Sequence, residues 1–191
     1  MKKLASLFIV AGVIIIGIGS WQIVYTKQET EASLEEARKV INAGSVIKTE
    51  EREGRFIPEM GEVVGLLDIP ALQAQLPIVE GTDPDELNKG VGHYKGSYYP
   101  NENGQIVLSG HRDTVFRQIG DLVIGDTLEI HMPYGEVIYE ITHVKIVDAD
   151  DPTIITLQND YEELILTTCY PFSYLGNAPE RYIIYAERVE V

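Results

Sequence analysis

Apolar positions follow three different patterns along the chain. Between Leu4 and Tyr25 there is no charged side chain, and the run includes Leu7-Phe8-Ile9-Val10 and Val13-Ile14-Ile15-Ile16. As a helix it would extend about 33 Å at ~1.5 Å per residue, enough to cross a bilayer core. Trp21 and Tyr25 stand at its far end, where amphipathic rings favour the membrane–water interface. A cleavable signal sequence would have an apolar run of about 7–15 residues closed by small residues of the Ala-x-Ala kind. That closure is missing, so residues 1–26 are expected to be a short stub and an uncleaved anchor. Lys2 and Lys3 precede the span, whereas the chain beyond it is acid-rich from Glu29 onward. The expected topology is a cytoplasmic amino terminus with everything after the span outside.

The second pattern covers 29–41, where Leu34, Ala37 and Ile41 recur at three- and four-residue spacing and Glu35 precedes Lys39 by one turn. This predicts a short amphipathic helix, stopped at Asn42 and Gly44. The charged stretch 49–61, which contains Pro58, reads as a linker. Residues 27–60 are thus expected to be a juxtamembrane helix and linker, and 61–191 the main domain.

The third pattern is a series of short β-branched runs separated by turn residues. It predicts strands at 63–69, 77–79, 106–109, 127–131, 137–143, 144–148, 164–168 and 182–189, with turns at Asn103-Gly104 and Tyr134-Gly135. Two short helical patches interrupt them. Asp83-Pro84-Asp85-Glu86-Leu87 has Pro at a helix start, and a second patch covers 115–119. Many short strands with few helices point to an all-β sandwich or barrel.

Charge and cysteine content narrow the chemistry. The 191 residues carry a formal net charge of −15, which argues against nucleic acid as a partner, since phosphate neutralisation needs clustered Lys and Arg. All 30 acidic side chains lie beyond the span, so the external part would be repelled by anionic headgroups. The single cysteine, Cys169, excludes an internal disulfide and any multi-thiolate zinc site. Asp148, Asp150 and Asp151 could offer oxygens to calcium, but they lack a patterned loop with a bidentate Glu. A solvated charge run accounts for them, and no cofactor is expected.

Cys169 ends an apolar strand, Leu164-Ile165-Leu166-Thr167-Thr168, and precedes Tyr170-Pro171-Phe172. It is either a small buried hydrophobe or a reactive thiol. As a nucleophile it needs help, because a thiol with pKa near 8.5 is only about 3% thiolate at pH 7. Four histidines are available. His131 and His143 fall in or at the ends of alternating strands, which suits structural or solvated roles. His93 and His111 sit where a Gly-containing segment meets a loop, and His111 follows an apolar strand directly in Ile106-Val107-Leu108-Ser109-Gly110-His111. His111 is therefore the better base. Arg181 opens the last strand and could stabilise an oxyanion, or simply pair with a surface carboxylate.

Ser109-Gly110-His111-Arg112-Asp113, Leu166-Thr167-Thr168-Cys169 and Arg181-Tyr182-Ile183-Ile184-Tyr185-Ala186, in that order, closely resemble sortases. Gly65-Leu66-Leu67-Asp68-Ile69-Pro70, Leu76-Pro77-Ile78-Val79-Glu80-Gly81 and Gly92-His93-Tyr94 resemble earlier segments of the same family. One departure is Ile165, which stands where the family's Thr-Leu-x-Thr-Cys signature begins with Thr. The resemblance implies a closed eight-stranded β-barrel with short helices behind one transmembrane helix. It implies a cysteine transpeptidase of Gram-positive-type surfaces, with Cys169 as nucleophile, His111 as acid/base and Arg181 as substrate-positioning oxyanion donor.

Substrates implied by the family are surface proteins with carboxy-terminal Leu-Pro-x-Thr-Gly or Leu-Pro-x-Thr-Ala signals, cut after Thr, and the acceptor is a cell-wall precursor amine. The single anchor and the lack of an Asp-Pro-x lid motif resemble class D most, with class A next. Two other functions use the same residues differently: a thiol hydrolase of such peptides, and a noncatalytic anchored domain that only binds them.

Overall fold

The computed structural model describes residues 2–42, 56–174 and 176–190. Its first element is a single helix, α1 (Lys2–Asn42), of 41 residues. The anchor and the amphipathic segment, expected as separate helices, are therefore continuous. Nothing in Thr26-Lys27-Gln28 breaks a helix, so hydrogen bonding runs on through the junction. Ile9, Val13, Ile16 and Trp21 are exposed on all sides of the first half. This helix is long and apolar enough to cross a membrane.

The second half of α1 docks on the domain that follows. Ala37 is fully buried against Val63, Leu66 and Val79, flanked by Leu34 and Ile41. Thr30 Oγ1 donates to the Asn88 carbonyl at 3.1 Å, and Arg38 Nη2 to Gln75 Oε1 at 2.8 Å. Membrane helix and domain thus meet within about two turns of Tyr25, roughly 10 Å at ~1.5 Å rise per residue. Most of the expected linker, 49–55, lies outside the described residues.

Eight strands follow: β1 (Val63–Ile69), β2 (Ala74–Glu80), β3 (Val91–His93), β4 (Gln105–Ser109), β5 (Thr127–Met132), β6 (Gly135–Asp148), β7 (Glu163–Tyr170) and β8 (Glu180–Arg188). They close into a barrel in the order β1-β2-β3-β4-β7-β8-β6-β5, which leaves no sheet edge open. β2–β3 and β4–β7 are parallel and the other pairs antiparallel. The β2–β3 crossover carries α2 (Pro84–Lys89), where Pro at the first turn costs no hydrogen bond.

Eight strands were expected and eight are present, but they are not the same eight. The segments 137–143 and 144–148 form one strand, β6, bent by a bulge between Ile141 and His143. β3 has no counterpart in the sequence reading, because Val91-Gly92-His93 is too short to show a period of two. The patch at 115–119 is a run of turns ending in a short 3-10 helix, Ile119–Asp121.

Alternation of side chains divides each strand between two surroundings. On β7 and β8, Leu164, Leu166, Ile184 and Ala186 point into the barrel core with Leu67, Ile106, Leu108 and Ile130. Ile165, Ile183 and Tyr185 point outward and are covered by Ile154 and Ile155 from the β6–β7 connection. The Ile165 departure from the family signature therefore lies under that connection and is fully buried.

One polar cluster is buried inside the barrel. His93 Nδ1 lies 2.6 Å from Glu80 Oε2, which also accepts the Tyr99 hydroxyl at 2.6 Å. His93 Nε2 faces the Tyr98 carbonyl at 3.0 Å, so it carries a hydrogen, and Ser97 Oγ lies 2.9 Å from it. His93 is thus engaged in holding β2, β3 and the following loop together. Burial, and then the adjacent Glu80 charge, pushes the Tyr99 phenol far above its ordinary range.

Candidate active site

Cys169 and Arg181 face one another on β7 and β8. Directly opposed residues of an antiparallel pair project to the same side, with Cβ atoms about 4.5–5.5 Å apart. Both belong to the outward-facing column that continues with Thr167 opposite Ile183. Cys169 is free and half-buried. Arg181 Nη1 donates to the carbonyls of Ala178, at 3.2 Å, and Glu180, at 2.9 Å, which hold the guanidinium at the start of β8.

His111 reaches the site from the other side of β7. The parallel register pairs Gln105 with Glu163 through Ser109 with Thr167. The Gly110 amide then donates to the Thr167 carbonyl at 3.1 Å, carrying the association past the strand end. His111 is the residue that follows this tie, where the chain turns away from β4. A further tie comes from Thr168, whose buried hydroxyl donates to the Gly110 carbonyl at 2.6 Å. Gly110 is needed here for space, because a Cβ would lie 2.5 Å from the Phe116 ring. β4 and β8 therefore flank β7, with Arg181 directly opposite Cys169 and His111 two residues past the end of β4.

A groove of about 230 Å³ opens beside Arg181. Ile154, Ile155, Val147 and Ile183 form the apolar part of its lining, and Ser109, Thr167 and Arg181 the polar part nearest Cys169 in the sheet register. Its wall, the β6–β7 connection, is anchored by the buried Gln105 side chain. Gln105 Oε1 accepts from the amides of Thr156, at 2.9 Å, and Leu157, at 3.1 Å; Nε2 donates to the Ile154 carbonyl at 3.1 Å. Asp148 and Asp151 lie on the rim. The Asp151 carboxylate accepts from the Thr153 hydroxyl and amide, and these bonds hold its pKa below the usual carboxylate value.

Beyond Cys169 the chain passes through a cis Tyr170–Pro171 bond. Tyr170, Phe172 and Tyr182 pack together there, with Phe172 and Tyr182 ring centroids 5.1 Å apart. Burial, and then the neighbouring Tyr170, raises the Tyr182 phenol. The other two histidines are engaged elsewhere. His131 sits between Glu129 and Glu136, and His143 stacks on Tyr185 at 4.2 Å.

Gln105 and Thr168 were not singled out from the sequence. Thr168 had a visible signal in its place just before the cysteine. Gln105 had none, since a single Gln opening a strand reads as a surface residue.

A family model described as Sortase domain matches residues 67–189. The chain belongs to the sortase family. It is 56% identical to Sortase D of Bacillus subtilis, over 99% of this chain and all of that protein. It is 27% identical to Sortase SrtE1 of Streptomyces coelicolor, over 89% of this chain and 53% of that protein. Among solved structures, a Clostridium perfringens Sortase D5 transpeptidase superposes with a TM-score of 0.72 at 24% identity, covering 85% of this chain and 99% of the other. Sortase C from Clostridium perfringens SM101 superposes at 0.63 and 28% identity, covering 90% and 99%. This sortase is a cysteine transpeptidase that anchors surface proteins, and its apolar amino-terminal helix fits attachment to a membrane.

Proposed function

We propose that Cys169 is the nucleophile, His111 the acid/base and Arg181 the oxyanion donor of this transpeptidase. The substrate would be a Leu-Pro-x-Thr-Gly or Leu-Pro-x-Thr-Ala signal cut after Thr. The observation that supports the assignment is Arg181 directly opposite Cys169 on β8, together with the β4–β7 pairing and the Gly110 bonds to β7 that bring the His111 turn to the neighbouring strand end.

In the first half-reaction the Cys169 thiolate attacks the Thr carbonyl carbon, and Arg181 N–H groups stabilise the oxygen as it gains charge. The C–N bond breaks, and His111 delivers a proton to the departing amine. A thioester and a neutral imidazole remain. The acceptor amine then attacks the thioester carbon, His111 takes its proton, and the C–S bond breaks to return the thiolate. Arg181 suits its part because its charge does not titrate away and its donors form a rigid fork. None of these steps draws on a metal, and activity should persist in chelator.

The Val147, Ile154, Ile155 and Ile183 side of the groove would receive the Leu-Pro end of the signal, with the Thr carbonyl directed toward Cys169. Lys2 and Lys3 before the span support a cytoplasmic amino terminus and an external barrel. A surface protein still threaded through the membrane and a cell-wall precursor amine would both be within reach there.

The test uses full-length protein in detergent with Leu-Pro-x-Thr-Gly and Leu-Pro-x-Thr-Ala peptides, followed by intact-mass spectrometry. A Thr-ended acyl adduct, lost in Cys169→Ala and released as an amide by added amine, is the expected result. Release only as free acid would favour a hydrolase. Peptide binding without an adduct, undiminished in Cys169→Ala, would favour a binding domain and refute the assignment.

A further inference from the structure

Arg112 follows His111 directly, and its side chain reaches the connection between β7 and β8. Nη2 donates to the Tyr174 carbonyl at 2.6 Å and to the Gly176 carbonyl at 2.9 Å. That connection joins the β7 end that carries Cys169 to the β8 start that carries Arg181. A second contact holds it nearby. Phe172 lies so close over Gly120 that a Cβ there would meet the ring at 2.6 Å. The segment that carries His111 therefore grips the β7–β8 connection at two points.

Arg112 is itself placed by a tight local frame. The amides of Phe116 and Thr114 donate to the His111 carbonyl at 3.0 and 3.3 Å, and the Phe116 ring packs on Gly110. The two carbonyls that Arg112 binds are at an exposed position, where water would satisfy them equally well. Folding does not require these bonds; what they change is the freedom of the connection. The cost is visible in Nη1, which is buried without a hydrogen-bond partner among the described residues. Both bonds come from Nη2, whose two hydrogens are held in the fixed plane of the guanidinium, whereas an ammonium group is a point donor on a flexible stem.

We propose that Arg112 is a positioning residue that clamps the β7–β8 connection to the His111 segment and so sets how the sorting signal is presented to Cys169. The proposal rests on the transpeptidase reading above. It separates two functions within one short motif: His111 moves protons, and its neighbour holds the β7–β8 connection.

The experiment compares full-length wild type, Arg112→Ala, Arg112→Gln and Arg112→Lys in detergent. Three readouts are taken: amide deuterium exchange, peptide transfer kinetics, and the pH profile of Cys169 alkylation by iodoacetamide. The clamp predicts faster exchange confined to 171–179 in the Ala and Gln variants. It also predicts KM for the signal peptide raised about tenfold with kcat little changed, and partial recovery of both in Arg112→Lys. The alkylation profile should superimpose on wild type, because the Cys/His pair is intact. Unchanged exchange in 171–179, exchange raised throughout the barrel, or a shifted alkylation profile would each overturn the proposal. Should wild type itself transfer no peptide, the transpeptidase reading fails, and the exchange measurement still decides whether the clamp exists.

Discussion

Cys169 and Arg181 are directly opposed across β7 and β8, so their separation is set by sheet geometry rather than by loop conformation. Arg181 lies twelve positions beyond Cys169 in sequence, and neither can shift without moving a strand. Arg181→Ala should lower kcat/KM for the signal peptide by about 10²–10³-fold, the usual loss for an oxyanion donor. Arg181→Lys should recover part of this, since it keeps the charge and loses the fork. Iodoacetamide should still label Cys169 in both variants. Full transfer activity in Arg181→Ala would remove arginine from the mechanism.

Thr168 couples the nucleophile's strand to the turn that carries His111 through its bond to the Gly110 carbonyl. Thr168→Val keeps the shape and leaves that buried carbonyl unpaired, at a cost of about 1–3 kcal/mol. Thr168→Ser keeps the hydroxyl and should stay near wild type. Denaturant unfolding and transfer rates, measured together, should fall in the Val variant and hold in the Ser variant.

Gln105 holds the β6–β7 connection over the outer face of the barrel through three hydrogen bonds. Gln105→Ala should loosen that wall while leaving the catalytic register unchanged. The expected result is a higher KM for the Leu-Pro-containing peptide, with Cys169 alkylation as in wild type. A drop in kcat with unchanged KM would contradict the role of this connection in binding.

The Glu80–His93–Tyr99 cluster makes stability fall at alkaline pH. Tyr99 stays neutral in the folded protein because burial, and then Glu80, raises its pKa, while in the unfolded chain it ionises near pH 10. Its contribution is therefore fully present below pH 10 and is lost as pH rises beyond it. Tyr139, raised by burial and then by Glu162, acts in the same direction. Each such tyrosine adds up to about 1.4 kcal/mol per pH unit to the slope above pH 10. Tyr99→Phe should be about 1 kcal/mol less stable at pH 7, having lost its bond to Glu80, yet show a shallower alkaline slope. An unchanged slope would mean that the phenol is not shielded. Removing the partner by His93→Ala should cost about 1–3 kcal/mol, because it leaves buried Glu80 with the Tyr99 hydroxyl alone.

Much of this protein is determined by local pattern. An uncharged apolar run needs a membrane, period-two alternation makes strands, and the order of the His, Cys and Arg motifs carries the family. Those features depend only on neighbours within a few residues, which is why the span, seven of the strand regions and the three proposed catalytic residues are visible in the chain itself. What tertiary structure decides is everything that depends on register. β3 exists because β2 and β4 flank it, not because three residues prefer to be extended. β6 remains one strand because β8 pairs with it on both sides of the bulge. The second half of α1 finds its apolar seat, around Ala37, only where β1 and β2 come together. Gln105, Thr168 and Arg112 gain their roles from partners roughly 50–65 residues away. No local preference encodes such contacts; closing the barrel brings them together, since it leaves each strand only one pair of neighbours.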